Sequence, residues 1–161
     1  MIKMKRHDYY KLAASIGICE LAGIIGSVFT AGSVSGWYVT LAKPALTPPG
    51  WIFGPVWITL YALMGIALFL VWRGGINTRQ SKIAVGVFLF QLLLNALWSI
   101  IFFGLQLPGI ALAEIIVLWI AIVASIIAFA RVSRTAAWLL IPYLLWVSFA
   151  MYLNYGIYIL N

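Results

Sequence analysis

The chain has very few of the residues that build metal, haem and nucleophile sites. Cysteine and histidine each occur once in 161 residues, as Cys19 and His7. A single cysteine excludes an intrachain disulfide and a cysteine-based zinc site, and a single histidine excludes a cluster that would hold a metal or a haem iron. A Ser-His-Asp or Cys-His set cannot be assembled, and no glycine-rich phosphate-binding loop occurs. The sequence therefore lacks a conventional catalytic constellation.

Charged residues are also scarce. They make up 8% of the chain, whereas 65% of its residues are hydrophobic. A soluble domain carries about 25% charged residues and is about half apolar. The apolar runs here are continuous over about 20 positions, the length of a helix that crosses the hydrocarbon core, and they do not alternate as the strands of a membrane barrel do. This pattern predicts an all-α, polytopic membrane protein in a lipid bilayer.

Five apolar segments predict a five transmembrane helix bundle that forms a single domain. The predicted spans and the structured loop between the first two are residues 10–30, 51–72, 83–104, 109–130 and 136–159, and loop 33–50. An odd number of spans leaves no room for an internal inverted repeat of the kind that secondary transporters use, unless the protein dimerises.

Basic residues outnumber acidic ones by ten to three, which gives a formal net charge of +7. They lie almost entirely between the apolar runs, so membrane topology explains them and no nucleic-acid partner is predicted. One side of the predicted bundle carries nine of them: Lys3, Lys5, Arg6, Lys11, Arg73, Arg79, Lys82, Arg131 and Arg134. The other side carries Lys43 alone. By the positive-inside rule the N-terminus is cytoplasmic, and the long first loop and the C-terminus lie outside.

Proline and tryptophan are concentrated between the first two spans. Residues 37–57 read WYVTLAKPALTPPGWIFGPVW and hold four of the six prolines and three of the eight tryptophans. Pro44, Pro48 and Pro49 each fix φ at about −65° and favour extended or polyproline geometry. This predicts a stiff lid. The alternative is an ordinary interfacial loop whose aromatic residues lie at the level of the lipid headgroups.

Three spans each carry aromatic, small and amide side chains on one helical face. The faces are Phe53, Trp57 and Tyr61; Gln91, Asn95, Trp98 and Phe102; and Trp146, Ala150, Leu153 and Asn154. Amides at membrane depth turn inward to find partners. The faces predict an interior aromatic pocket for a flat apolar molecule. The alternative is that the aromatic residues fill the bundle core and the amides bond between helices.

Two acidic residues, Glu20 and Glu114, lie within predicted spans. An ionisable side chain at membrane depth is costly and indicates a function, such as proton coupling or contact with a cation. Equally, either is a protonated carboxyl bonded to a backbone carbonyl or to an amide such as Asn95. In the first span, Ala22 and Gly26 have the spacing of close helix contacts, which predicts tight packing against a neighbouring helix or a second protomer.

Four segments resemble the TspO/MBR family of tryptophan-rich sensory proteins and translocator proteins, which includes the mitochondrial peripheral benzodiazepine receptor. The segments are WYVTLAKPALTPPG, GPVWITLYALMGIAL, QLLLNALWSIIFF and AAWLLIPYLLWVSFAMYLN, in order between residues 37 and 154. The resemblance implies a five-helix bundle, commonly a homodimer, with a pocket beneath the first long loop. Members bind porphyrins such as protoporphyrin IX, several bind sterols or benzodiazepine-site ligands, and some bacterial members degrade porphyrin in light.

The resemblance also implies which residues contact a porphyrin, with Tyr38 and Pro48 of the loop covering the pocket. Together with the helical faces and the acidic residue of the fourth span, the predicted contacts are Tyr38, Pro48, Phe53, Trp57, Tyr61, Gln91, Asn95, Trp98, Glu114, Trp146, Ala150, Leu153 and Asn154. Trp57 and Trp146 are the candidates for photochemistry, as electron donors to the excited ligand. No further cofactor is required.

The sterol-recognition pattern of animal members is incomplete in this chain. It needs Leu or Val, then Tyr, then Lys or Arg. Leu153 and Tyr155 are present, but no basic residue follows them. The resemblance therefore favours a prokaryotic member with a tetrapyrrole ligand. Three functions stay open: a porphyrin receptor or sensor with photo-oxidative activity, a transporter of tetrapyrroles or other small hydrophobic ligands, and a structural protein with a vestigial pocket.

Overall fold

A computed structural model describes residues 5–161, so Lys3, one of the nine basic residues, lies outside the described part. Its helices are α1 Arg6–Val34, α2 Trp37–Thr40, α3 Phe53–Arg73, α4 Arg79–Ser99, α5 Pro108–Ala130, α6 Arg134–Leu139 and α7 Ile141–Leu160. A 3₁₀ turn, Gly50–Ile52, leads into α3, and a π-helical turn, Ile100–Gly104, comes after α4. Residues 5–161 contain no strand, and the all-α prediction is confirmed.

Five helical segments are long and apolar enough to cross a membrane, and each overlaps one predicted span. Polar caps extend two of them beyond the apolar runs. The Asp8 carboxylate accepts a hydrogen bond of 3.0 Å from the backbone N–H of Lys5 at the start of α1. The Thr78 hydroxyl accepts one of 3.1 Å from the N–H of Ser81 at the start of α4. Such caps satisfy the free N–H groups of a first turn, so these helices begin before the hydrocarbon core.

The fifth span is interrupted near its start. α6 ends at Leu139 and α7 begins at Ile141, with Pro142 in its first turn. Proline has no N–H to donate, and its ring clashes with the carbonyl four residues earlier in a continuous helix. The predicted span is therefore present as two helices joined at Leu140.

α1 packs closely on its neighbours through small residues. A Cβ added at Gly65 of α3 would lie 2.5 Å from the Cα of Ile16, and one added at Gly26 would lie 3.0 Å from the hydroxyl oxygen of Ser99 in α4. Ala22 and Gly26 are both buried in the bundle. The predicted tight packing is confirmed for neighbouring helices, and the homodimer stays a prediction.

One end of the bundle gathers the loop after α1 and the C-terminus. The backbone N–H of Ala42 donates to Asn161 Oδ1 at 3.0 Å, and Asn161 Nδ2 donates to the Ala42 carbonyl at 3.1 Å. Near this end, Asn154 Nδ2 also donates to the carbonyl of Pro108, at 2.8 Å. This is the lid end, where the lid is defined as residues 35–49.

The opposite end holds the start of α1 and the end of α3. Arg73 Nε lies 3.4 Å from Asp8 Oδ2, and Lys11 Nζ donates to the carbonyl of Trp72 at 3.4 Å. The charge asymmetry of the sequence is thus an asymmetry between the two ends of one bundle. The assignment of the basic end to the cytoplasm stays a prediction.

Candidate functional site

A cavity with a volume of about 560 Å³ lies at the lid end, between α1, α3, α4 and α7. Pockets for drug-sized ligands have volumes of about 300–1,000 Å³ and mostly apolar walls with a few polar groups. This cavity fits that description, because most of its lining side chains are apolar or aromatic. α5, which packs behind α4 and α7, contributes no lining residue.

The lid lies on the bundle and covers part of the cavity. Tyr38 lines the cavity, with its ring centroid 5.7 Å from that of Phe103 and 6.4 Å from that of Phe102. Pro44 rests on α7 at Gly156, where an added Cβ would lie 2.8 Å from Pro44 Cγ. The lid thus lies over the cavity, and an added side chain at residue 156 would disturb this docking.

The conformation of the lid is only partly the extended one expected from its prolines. Trp37–Thr40 forms a helical turn, and the N–H of Thr47 donates to the carbonyl of Pro44 at 3.0 Å, which closes a second turn. Pro49, at φ −55° and ψ 140°, has the polyproline geometry. Prolines fix φ but leave ψ free, so they permit turns as well as extended chain.

Tyr38 and Lys43 pack together within the lid. Lys43 Nζ lies 4.8 Å from the centroid of the Tyr38 ring and donates to the carbonyl of Leu41 at 3.2 Å. A cation over an aromatic face is attracted by about 0.5–1 kcal/mol at an exposed site. Burial raises the pKa of Tyr38 above its usual value. The phenol is therefore neutral at pH 7.

Three tryptophans from three helices form the aromatic walls. Trp57 of α3 stacks on Tyr61, with ring centroids 5.5 Å apart and an angle of 27° between the planes. Trp146 of α7 meets Phe53 edge to face at 6.0 Å. Trp98 of α4 stacks on Phe102 at 5.1 Å, and its Nε1 donates to Asn154 Oδ1 at 3.1 Å. Each wall residue is thus held by a second aromatic ring or by a hydrogen bond.

A buried chain of hydrogen bonds holds Tyr61 from behind the wall. The Tyr61 hydroxyl donates a short bond to Asn95 Oδ1, and Asn95 Nδ2 donates to the hydroxyl of Tyr143 at 2.9 Å. Tyr143 in turn donates to Gln91 Oε1 at 2.9 Å. Buried polar networks of this kind fix side-chain orientation, because each broken bond leaves a partner unsatisfied. Gln91 and Asn95 therefore support the cavity wall rather than line it.

The structure brings together most of the predicted contacts. Those that line the cavity are Tyr38, Phe53, Trp57, Tyr61, Trp98, Trp146, Ala150, Leu153 and Asn154. Pro48, Gln91, Asn95 and Glu114 do not. Pro48 lies in the lid away from the wall, and Glu114 belongs to α5. Both carboxylate oxygens of Glu114 are buried without a hydrogen-bond partner in residues 5–161, so the bond to Asn95 considered from the sequence is not formed.

The α1 side of the cavity is absent from the sequence prediction. Its lining residues are Glu20, Gly23, Ile24, Gly26, Ser27, Thr30, Ala31, Val34 and Ser35. They recur at three- and four-residue intervals, which defines one helical face. The family-like segments begin at Trp37, after this helix. The only sequence feature that marks this side of the cavity is a row of small and polar residues at helical spacing. Such a row by itself predicts only a surface that packs against another helix.

The π-helical turn adds further wall residues. The N–H of Leu105 donates to the carbonyl of Ile100 at 2.8 Å, five residues earlier. A π-helical turn inserts one extra residue and rotates the residues after it, and such turns are frequent at functional sites. Here Phe102 and Phe103 both line the cavity. No group of three or more His, Cys, Asp or Glu side chains in residues 5–161 could hold a metal ion.

Comparison with known proteins agrees with this architecture. The model of the TspO/MBR family matches residues 15–160. A tryptophan-rich protein TspO of Chlorobaculum tepidum is 49% identical over 150 residues, which cover 93% of this chain and 95% of the relative. Another from Archaeoglobus fulgidus is 48% identical over 152 residues, 94% and 97% of the two chains. The human translocator protein is 40% identical over 151 residues, 92% and 86%.

These matches extend over all five helical segments that are long enough to span a membrane. The protein is therefore an integral, multi-pass membrane protein. The four family-like segments lie within residues 37–154, whereas the match to the family also includes most of α1. The chain belongs to the TspO/MBR family.

Proposed function

We propose that this protein is a membrane receptor or sensor that binds a porphyrin-like tetrapyrrole beneath the lid. The names of two relatives, translocator protein and tryptophan-rich sensory protein, support the general role of a membrane sensor or translocator. The observation that carries the finer proposal is the cavity of about 560 Å³ with Trp57, Trp98 and Trp146 on its walls. A flat aromatic ligand buries both faces against such rings and gains from offset or edge-to-face packing.

The three tryptophans of the cavity wall differ in whether their indole N–H already has a hydrogen-bond acceptor. Trp98 donates its N–H to Asn154. Trp57 and Trp146 make no indole hydrogen bond to residues 5–161, although both line the cavity. An indole N–H in an apolar pocket is stabilised by an acceptor. These two tryptophans are therefore the ones that can donate to polar atoms of a ligand.

A light-dependent activity is part of the proposal. Light excites the bound porphyrin, which activates dioxygen, and the reactive oxygen opens the macrocycle inside the cavity. Trp57 and Trp146 lie where they would contact the ligand and donate electrons to it or trap its radicals. The remaining wall holds the ring and limits the escape of the reactive species.

The test is a titration of the detergent-solubilised protein with protoporphyrin IX, followed by quenching of tryptophan fluorescence in the dark and by porphyrin absorbance under light. We expect saturable binding, with weaker binding and a changed photoproduct in Trp57→Phe and Trp146→Phe. Trp138→Phe is the matched control, because Trp138 is 73% exposed on α6 and away from the cavity. Unchanged affinity and photoproduct in both wall variants would contradict the assigned site.

One observation favours transport as a second candidate. Ile24 of α1 and Ile58 of α3 line the cavity, yet they are 59% and 63% exposed. We infer from this exposure that the cavity opens between these two helices, on a surface that faces the bilayer. A hydrophobic ligand could pass through this opening between lipid and cavity. Liposomes containing the protein should then take up protoporphyrin IX faster than empty liposomes, and equal rates would count against transport.

A further inference from the structure

A second, smaller pocket lies at the basic end of the bundle, where α4 begins and α5 ends. It has a volume of about 40 Å³ and is lined by Gln80, Ile83, Ala128 and Arg131, none of which lines the cavity beneath the lid. Gln80 and Arg131 lie at the helix ends. Ile83 and Ala128 lie three residues, or about 4.5 Å, further into the bundle. The pocket therefore has polar groups at its outer edge and apolar groups on its inner side.

Packing behind the pocket fixes the two helices that form it. Phe88 of α4 and Phe129 of α5 are fully buried, and their rings stack with centroids 5.2 Å apart and an angle of 23° between the planes. The chain then turns at the end of α5, where the N–H of Ser133 donates to the carbonyl of Phe129 at 2.7 Å. The backbone on both sides of the pocket is thus held by the fold, and the pocket does not depend on a ligand to form it.

The pocket is surrounded by positive charge that the chain itself does not balance. The exposed basic residues nearby are Arg79, Lys82, Arg131 and Arg134. Asp8 is the only acidic residue of the sequence outside the apolar spans, and it is already paired with Arg73. The side chains of Gln80 and Arg131 make no ion pair or hydrogen bond with residues 5–161. A guanidinium with all its donors available is a ready ligand for an anion.

The depth of the pocket matches the level of a phospholipid headgroup. The apolar run of α4 starts at Ile83, and that of α5 ends at Ala130, so the pocket lies at the boundary between the helix ends and the hydrocarbon core. One turn deeper on the same two helical faces, Gly86 and Ala124 are small and exposed. A Cβ added at Gly86 would meet nothing within 4 Å, which leaves room there for an acyl chain.

We propose that this pocket binds an anionic phospholipid, with Arg131 and Gln80 holding its phosphate and with an acyl chain against Ile83 and Ala128. The planar guanidinium donates two parallel N–H bonds to two oxygens of a phosphate. Basic pockets between membrane helices bind anionic headgroups in this way. The neighbouring basic residues disfavour zwitterionic lipids, because a choline or ethanolamine cation would meet charges of its own sign. This site is separate from the cavity and independent of the proposed function.

The test is native mass spectrometry of the detergent-solubilised protein, titrated with phosphatidylglycerol and with phosphatidylcholine of the same acyl chains. We expect phosphatidylglycerol to bind about ten-fold more tightly, and Arg131→Gln to lose about five-fold or more of that affinity. Arg134→Gln is the matched control, because it removes the same charge at the same end of the bundle from a residue outside the pocket. Equal losses in the two variants would show a general attraction to the basic end and would overturn the site.

A second pair of variants tests the shape of the pocket without a change of charge. Ala128→Leu should fill the pocket and weaken phosphatidylglycerol about five-fold, whereas Ala130→Leu, on the exposed surface of α5 outside the pocket, should not. Equal affinities for these two variants would contradict binding in the pocket. Thermal unfolding in lipid-free detergent shows that each variant is folded. Glycerol 3-phosphate, the headgroup without chains, should not displace the lipid at equal concentration, and displacement would overturn the assignment to a phospholipid.

Discussion

The two sides of the cavity are built in different ways. The side formed by α3, α4 and α7 consists of stacked aromatic rings that are tied together by the Tyr61–Asn95–Tyr143–Gln91 chain and by the Trp98–Asn154 bond. The α1 side consists of small and aliphatic residues and one carboxylate, that of Glu20. In the most apolar 18 residues of α1, 22% of the residues are buried in the bundle, whereas the value for the segment Gly50–Arg73 is 44%.

This difference assigns separate roles to the two sides. A wall fixed by buried hydrogen bonds and ring stacking presents the same surface whether or not a ligand is bound. The α1 helix packs closely on α3 and α4, but the side chains of its cavity-lining residues make no hydrogen bond to another helix, so they can change conformation without breaking one. We therefore expect the aromatic side to recognise the flat face of a ligand, and α1 to adjust to its size.

The largest effect is expected where α1 packs most closely on α3. Gly65→Ala would place a Cβ 2.5 Å from the Cα of Ile16, so the backbones of α1 and α3 have to separate. We expect a loss of about 1–3 kcal/mol in the free energy of unfolding. Gly86→Ala on α4 has open space around its Cβ and should be neutral or stabilising. Thermal unfolding in detergent measures both, and equal midpoints for the two variants would contradict the close contact.

A smaller effect is expected when the aromatic side loses its hydrogen bonds. Tyr143→Phe removes the hydroxyl that accepts from Asn95 and donates to Gln91, and both partners are buried. An unsatisfied buried group costs about 1–3 kcal/mol, part of which relaxation can recover. Porphyrin affinity should fall as well, because Asn95 loses its bond to Tyr143 and then holds the Tyr61 hydroxyl less firmly. Tyr158→Phe, an exposed tyrosine without a hydroxyl partner in residues 5–161, should affect neither stability nor binding.

The α1 side can instead be altered without loss of stability. Ala31 lines the cavity and is exposed. Ala31→Leu should therefore extend into the cavity and reduce porphyrin affinity about ten-fold, while changing the free energy of unfolding by less than about 0.5 kcal/mol. Ala14→Leu is the control, because Ala14 is also exposed on α1 and lies outside the cavity. Similar affinities for the two variants would show that α1 is not part of the binding wall.

The same contrast explains what the sequence could predict. Aromatic and amide residues at helical spacing identify a buried face, because the amides need partners and lipid-facing surfaces do not contain them. Such residues are Trp57, Trp98, Trp146 and Asn154, all of which line the cavity. Gly23 or Ala31 is equally compatible with a lipid-facing surface, a helix contact and a cavity, so the α1 side has no comparable signal.

Helix rotation is the second limit of the sequence. Glu20 and Glu114 have the same chemistry and both lie within spans, yet only Glu20 lines the cavity. Which face of a helix points inward is determined by contacts with several other helices at once. In addition, the π-helical turn at Ile100–Gly104 shifts the helical register by one residue. Periodicity within one span contains neither kind of information.

The smallest effect concerns the docking of the lid above both walls. Burial raises the pKa of Tyr38, so the docked lid prefers the neutral phenol. The stabilisation from this preference is complete below the usual pKa of about 10 and is lost as the pH rises through the higher pKa of the docked state. We expect the thermal midpoint of the wild type to fall, relative to that of Tyr38→Phe, between about pH 9 and about pH 11. Parallel curves over this range would show that the lid does not bury the Tyr38 hydroxyl in solution, and the cavity would then be open at its lid end.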